Sequence, residues 1–163
     1  MMPVLVPVPR QTPPDPQPER IQFHMVNAVP APTPSAPPLM PAGAGLPAGV
    51  PLQPDGLVLE HEPVTGSAVA SGTPATGLCE LGRFGGLELG VWEMTEGGMY
   101  DTEAEEVFLV LSGSATVEFL DEDGTVTSVH DLVPHTLMRF AAGTPTRWTV
   151  TSPLRKVYLA LPA

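Results

Sequence analysis

Between Gly98 and Gly124 two apolar runs succeed one another so closely that neither can be a helix of useful length. The first, Val107-Phe108-Leu109-Val110-Leu111, is β-branched and aromatic, and Gly113 lies two residues beyond it. Residues of this kind fit a pleated, half-buried surface better than a helix. Thr102-Glu103-Ala104-Glu105 has the form of a helix-capping box, but the glycine stops any helix within two turns, so a strand is predicted. The second run, Ala115 to Leu120, alternates. The Ser112-Gly113-Ser114 triplet between the runs reads as a turn, and Asp123-Gly124 after them is a hairpin signal. Four carboxylates, Asp101, Glu103, Glu105 and Glu106, precede the first run.

Composition divides the chain sharply. Of its 22 prolines, 16 lie in the first 54 residues, where Arg10 and Arg20 balance Asp15 and Glu19. The formal net charge of −11 therefore belongs to residues 55–163. Segments such as APTPSAPPLMPAGAGLPAG bury too little apolar surface to fold, so residues 1–55 are predicted to be a disordered tail and residues 56–163 the domain. Met25 offers an alternative start. MMPVLVPVPR lacks a basic region and is broken by prolines, unlike a signal peptide. No apolar run is long enough to span a bilayer. An acidic domain repels phosphate, which argues against nucleic acid and anionic membranes as partners. Cys79 is alone, so neither a disulfide framework nor a thiolate metal site is expected. The expectation is a cytoplasmic protein.

The domain reads as short strands throughout. Leu87 to Met94 alternates, with Leu87, Leu89 and Val91 on one face and Glu88, Trp92 and Met94 towards the other, and it is bounded by Gly85-Gly86 and Gly97-Gly98. Residues 63–77 are rich in Gly, Ser and Thr and read as a loop. Thr125 to Val129, Leu137 to Phe140, Arg147 to Thr151 and Lys156 to Leu161 complete the series, with Gly143-Thr144-Pro145 and Ser152-Pro153 as punctuation. Even spacing without a convincing helix predicts an all-β antiparallel sandwich or small barrel.

Three pieces of the chain resemble the cupin superfamily, and within it the small single-domain branch that includes ureidoglycine aminohydrolase-like and ethanolamine-utilisation-like cupins. They are Glu106 to Gly113, Pro134 to Trp148, and Trp148 to Tyr158. The resemblance implies a jelly-roll β-barrel and homodimers. It also implies a metal site of three histidines and a glutamate, from which this sequence departs. The paired histidine positions fall on Tyr100 and Thr102, or on Met99 and Asp101, and the third falls on Thr146. Only Glu106 stands at a ligand-like position.

Function then rests on the surroundings of Glu106. It shares strand parity with Phe108 and Val110 and is expected to be a partly buried carboxylate, a candidate general acid or base. Asp101 and Glu103 share a face, and Glu106 joins them only across a bend, so a carboxylate site for a hard divalent cation of the Mn, Fe or Mg type is one alternative and no cofactor is the other. Trp148 has the parity of Thr146 and is expected to point inwards. Trp92, Tyr100, Phe108, Phe140 and Thr146 are candidates to line a ligand pocket with it. Arg147, Arg155 and Lys156 are expected mainly as surface counter-charges. His130 and His135 flank a turn without a third ligand nearby. The leading expectation is a cupin barrel that binds a small molecule without the usual histidine-held metal. The alternatives are a metal-dependent enzyme resembling ureidoglycine aminohydrolase and a structural or interaction module.

Overall fold

The computed structural model describes residues 45–162; the predicted tail lies outside the described residues up to residue 44. Apart from two 3-10 turns, at Pro54–Gly56 and Gly66–Ala68, the regular structure in the described residues is all strand. The strands are β1 (His61–Pro63), β2 (Val69–Ser71), β3 (Ala75–Phe84), β4 (Leu87–Met94), β5 (Gly97–Thr102), β6 (Glu106–Leu120), β7 (Val126–Leu132), β8 (Leu137–Phe140) and β9 (Pro145–Ala160). All pair antiparallel in one curled sheet, the all-β barrel expected from the alternation. No helix among the described residues is long and apolar enough to cross a membrane.

Two long strands carry the rest. β6 and β9 pair along nearly their whole length, from Glu106 opposite Ala160 to Phe119 opposite Thr146. β9 takes β5 on its other edge over its first half and β4 over its second. β6 takes β8 and then β7 in the same manner. The predicted turn at Ser112-Gly113-Ser114 is therefore not a turn: the two apolar runs are one strand. Likewise Ser152-Pro153 does not separate two strands but lies inside β9. Both sites are a shared irregularity, where the register between β6 and β9 shifts around Ser112 and Ser114. Proline cannot donate to a ladder and is tolerated where pairing is already broken. Gly113 has φ +83, and a Cβ on it would lie 2.0 Å from the Pro153 carbonyl oxygen. The strands thus cross at a distance only glycine permits.

This bulge has a consequence for the interior. Before it, the buried positions of β6 are Glu106, Phe108 and Val110; after it they are Ala115 and Val117. The offset changes from even to odd because the extra backbone turns the strand over, so both halves keep an apolar face inwards. Those faces meet Met94, Met99, Leu132, Phe140, Trp148, Val150 and Leu154 in the main core.

A second, smaller core lies on another face of the β3–β4 pair. Leu81 and Val91 are covered there by Leu52, Leu57 and Leu59. Leu46 donates its N–H to the Leu81 carbonyl at 2.6 Å, and Arg155 donates to the carbonyls of Pro54 and Asp55 at 2.9 Å each. The described chain is thus held to the sheet before Gly56. The Leu89 and Val91 face and the Trp92 and Met94 face predicted for β4 fall on these two cores respectively. Residues 63–77 are only in part the predicted loop, since they contain β2 and the start of β3. β3 itself, ATGLCELGRF, has too few β-branched residues for a strand signal. The Asp123-Gly124 hairpin is present: Asp121 accepts from the N–H groups of Asp123 and Thr125 at 3.0 and 2.8 Å, and Gly124 has φ +78.

Replacing Gly113 by alanine forces a Cβ onto the Pro153 carbonyl from a left-handed backbone. We expect Gly113→Ala to lose at least about 3 kcal/mol in urea unfolding, whereas Gly124→Ala, whose Cβ meets nothing within 4 Å, loses less.

Candidate functional site

The interior of the barrel is not wholly apolar. Lys156 sits on β9 between Trp92 of β4 and Val110 of β6, and only 5% of its surface is exposed. A buried ammonium needs a partner. Glu106, the first residue of β6, supplies one: Lys156 Nζ donates to its Oε1 at 2.5 Å. Four aromatic rings complete the shell. The Nζ lies 4.4 Å from the ring centre of Phe108, 5.0 Å from Trp92, 5.2 Å from Trp148 and 5.7 Å from Phe140. Each presents electron density to the cation, an attraction of ~2 kcal/mol or more once water is excluded.

The carboxylates reach the same place from β5 and the loop after it. Glu103 is buried and accepts on Oε1 from Thr146 Oγ1 at 2.6 Å and from Trp148 Nε1 at 2.7 Å. Its backbone is tied to the 141–144 turn, donating to the Thr144 carbonyl at 2.9 Å and accepting from the Gly143 N–H at 2.8 Å. Asp101 stands at the open mouth and accepts from the Thr102 N–H at 2.7 Å. With Glu106, Lys156, Trp92 and Trp148 these residues line a cavity of about 220 Å³. Loss of hydration holds Glu103 above its ordinary carboxylate range, against the bonds from Thr146 and Trp148 and the charge of Lys156. Desolvation likewise raises Asp101, opposed by the Thr102 N–H and by Lys156.

The structure sorts the predicted residues. Glu106 is buried at the ligand-like position, and Trp92 and Trp148 line the cavity. Phe108, Phe140 and Thr146 are fully buried one step behind it, the rings against the ammonium and the hydroxyl against Glu103. Tyr100 does not line the pocket. It is 42% exposed and lies across from Arg147, because β5 turns Met99 inwards and its even neighbour out. Asp101, Glu103 and Glu106 are brought to one cavity, since residues 103–105 provide the bend that their parities demand. They do not form the carboxylate metal centre expected as one alternative. No group of three His, Cys, Asp or Glu among the described residues is disposed to hold a metal ion. Glu106 already has the ammonium on its Oε1, Glu103 takes two donors on one oxygen, and Asp101 takes a backbone N–H. The donor set does not fit a divalent metal.

Glu105 points away from the cavity, and a bond from the Ala142 N–H, followed by its pairing with Arg139, lowers its pKa. Arg147 pairs with Glu118 and Arg155 with Glu93; the Arg155 side chain is not on the surface as expected but largely buried, where it also donates to the Pro54 and Asp55 carbonyls. His130 lies against Ser128 and the edge of Phe119, and His135 occupies an exposed turn with φ 73. Lys156 is the residue that charge alone misplaces. Two signals mark it: it shares the parity of Trp148 along β9, and it is the only lysine in a chain whose other six basic residues are arginine.

Residues 81–158, the span that carries this geometry, match the family model of the EutQ-like cupin domain. By this match residues 81–158 are a cupin domain of the EutQ-like type. Among solved structures it is similar to the EutQ protein of Clostridium difficile, at 19% identity and a TM-score of 0.47, over 55% of this chain and 70% of that one. It is also similar to a protein of unknown function from Rhizobium leguminosarum, at 16% identity and 0.46, over 54% and 82%. A cupin superfamily protein of Desulfitobacterium hafniense gives 17% and 0.42, over 54% and 78%. No curated protein matches the chain. The chemistry of the site is therefore read from this chain's own residues.

The electrostatics lead to two expected outcomes. Lys156→Met leaves Glu106 buried without its cation and should cost about 3–5 kcal/mol, while the double variant with Glu106→Gln should recover much of that loss; urea unfolding of the four proteins gives the coupling. Glu103 binds its proton more tightly folded than unfolded, so its contribution to stability is complete below the unfolded pKa and is lost as pH rises through the raised folded value. Glu103→Gln keeps an acceptor for Thr146 and Trp148 but does not titrate. Its stability should gain on wild type as pH climbs through the carboxylate range, read from unfolding midpoints against pH.

Proposed function

We propose that the domain is a small-molecule-binding cupin in which a fixed ammonium does the electrostatic work that a metal ion does elsewhere in the superfamily. The observation that carries this reading is the Lys156–Glu106 pair inside its aromatic box, at the wall of the cavity. The glutamate at the ligand-like position is already paired with a covalently tethered cation.

The cavity also favours one kind of ligand over another. Asp101, Glu103 and Glu106 outnumber Lys156, so a small anion meets net repulsion. A hydroxylated ligand meets acceptors at Asp101 and Glu103, and the faces of Trp92 and Trp148 accept its carbon skeleton. The volume lies below that of a drug-sized ligand pocket and suits a small molecule.

Metal analysis of protein purified without chelator, together with thermal shift, tests the proposal. The expected result is far less than one equivalent of metal, and a rise in melting temperature with short polyols and hydroxyaldehydes but not with small carboxylates. One equivalent of manganese, iron or magnesium that disappears in Glu106→Gln would instead overturn the metal-free reading.

A further inference from the structure

The only lysine of the chain is also its least expected one. Every other basic residue is an arginine, including Arg147 and Arg155, which make the carboxylate pairs on the sheet. A buried charge required only for balance could equally be a guanidinium. An amine differs from it in being able to lose a proton and become a nucleophile.

We propose that Lys156 forms a protonated imine with a short, uncharged, hydroxylated aldehyde that enters the barrel cavity, with Glu106 as the proton carrier. The inference rests on the proposed binding of a small molecule and names its ligand class. The parts are in contact before any ligand arrives. Nζ is 2.5 Å from Glu106 Oε1, and both residues line the cavity. In the first step Glu106 takes one proton from the ammonium, and the free amine pair attacks the carbonyl carbon. The C=O π pair moves to oxygen, which gains a proton released by the attacking nitrogen, and the product is a carbinolamine. In the second step Glu106 returns its proton to the hydroxyl, the C–O bond breaks, and water leaves as the nitrogen pair forms the C=N bond. The sum is ammonium plus aldehyde giving iminium plus one water, and Glu106 ends as it began.

Charge decides that the box suits the product as well as the free protein. The iminium keeps the positive charge of the ammonium, so Glu106 remains its counter-ion and the rings of Phe108, Trp92, Trp148 and Phe140 remain its π shell. The excess of carboxylates selects against oxo acids, and Asp101 and Glu103 accept from the hydroxyls of the aldehyde. Both hydrogen bonds found on the Glu103 side chain among the described residues fall on Oε1, so Oε2 is the oxygen left for such a donor.

The protein of residues 1–163 is incubated with glycolaldehyde and cyanoborohydride, and its peptides are analysed by mass spectrometry. Because there is one lysine, the α-amino group is the internal reference. The expected result is a reduced two-carbon adduct on Lys156 that forms faster than on the α-amino group, faster in folded protein than in urea, and little from glyoxylate. Glu106→Gln should slow the adduct about 100-fold, and Lys156→Arg should abolish it while keeping the fold by circular dichroism. Lys156 reacting no faster than the α-amino group, or no faster folded than unfolded, overturns the imine. If that failure comes with a glycolaldehyde-dependent rise in melting temperature, the binding reading stands and only the covalent step falls. If it comes with neither thermal shift nor adduct, and with one equivalent of metal, both fall.

Discussion

Everything in the barrel depends on how β6 and β9 lie together. They are the two longest strands, and their pairing supplies the edges on which β4, β5, β7 and β8 are laid. Two strands of this length cannot stay in plain register and also close a small barrel, because the curvature must be taken up somewhere. It is taken up where Gly113 passes the Pro153 carbonyl, at a separation that no side chain could share. The same bulge reverses the inward parity of β6, so Glu106 and Phe108 on one side and Ala115 and Val117 on the other all face the core. The site depends on this, since the inward face before the bulge is what brings Glu106 to Lys156.

Inside that frame the site is an arrangement of charge in an apolar setting. The cation and its carboxylate are buried together, and four aromatic rings lie around the ammonium. The remaining carboxylates are placed by degree: Glu103 is buried and held by Thr146 and Trp148, while Asp101 is left at the mouth. Loss of hydration raises both, more than Lys156 and the nearby donors lower them. The result is a cavity with one deep positive charge and acceptors nearer its opening.

The association of Trp148 and Thr146 with the site is legible in the sequence because parity on a strand is rigid: two residues apart means the same face. Parity on β4 places Trp92 for the same reason. Tyr100 is misplaced when its family position is weighed above parity; Asp101 and Tyr100 are neighbours and cannot both face inwards on β5. The Ser112-Gly113-Ser114 triplet deceives because a bulge and a turn use the same residues, and only the partner strand distinguishes them. Lys156 deceives because lysine is rarely buried, and its burial depends on a carboxylate fifty positions away in sequence.

By itself the sequence determined the all-β class, the alternating faces, the acidic hairpin at Asp121 to Gly124 and the singular position of Glu106. The first three are local or periodic properties, carried by side-chain spacing and turn chemistry, and the last is what the family resemblance implied. Only the tertiary structure decided that two predicted strand pairs are two bent strands, that Glu103 is held by Thr146 and Trp148, and that Glu106 pairs with Lys156. Each of these depends on residues far apart in the chain meeting across a ladder. Their register is set by one close backbone crossing, which no local pattern encodes.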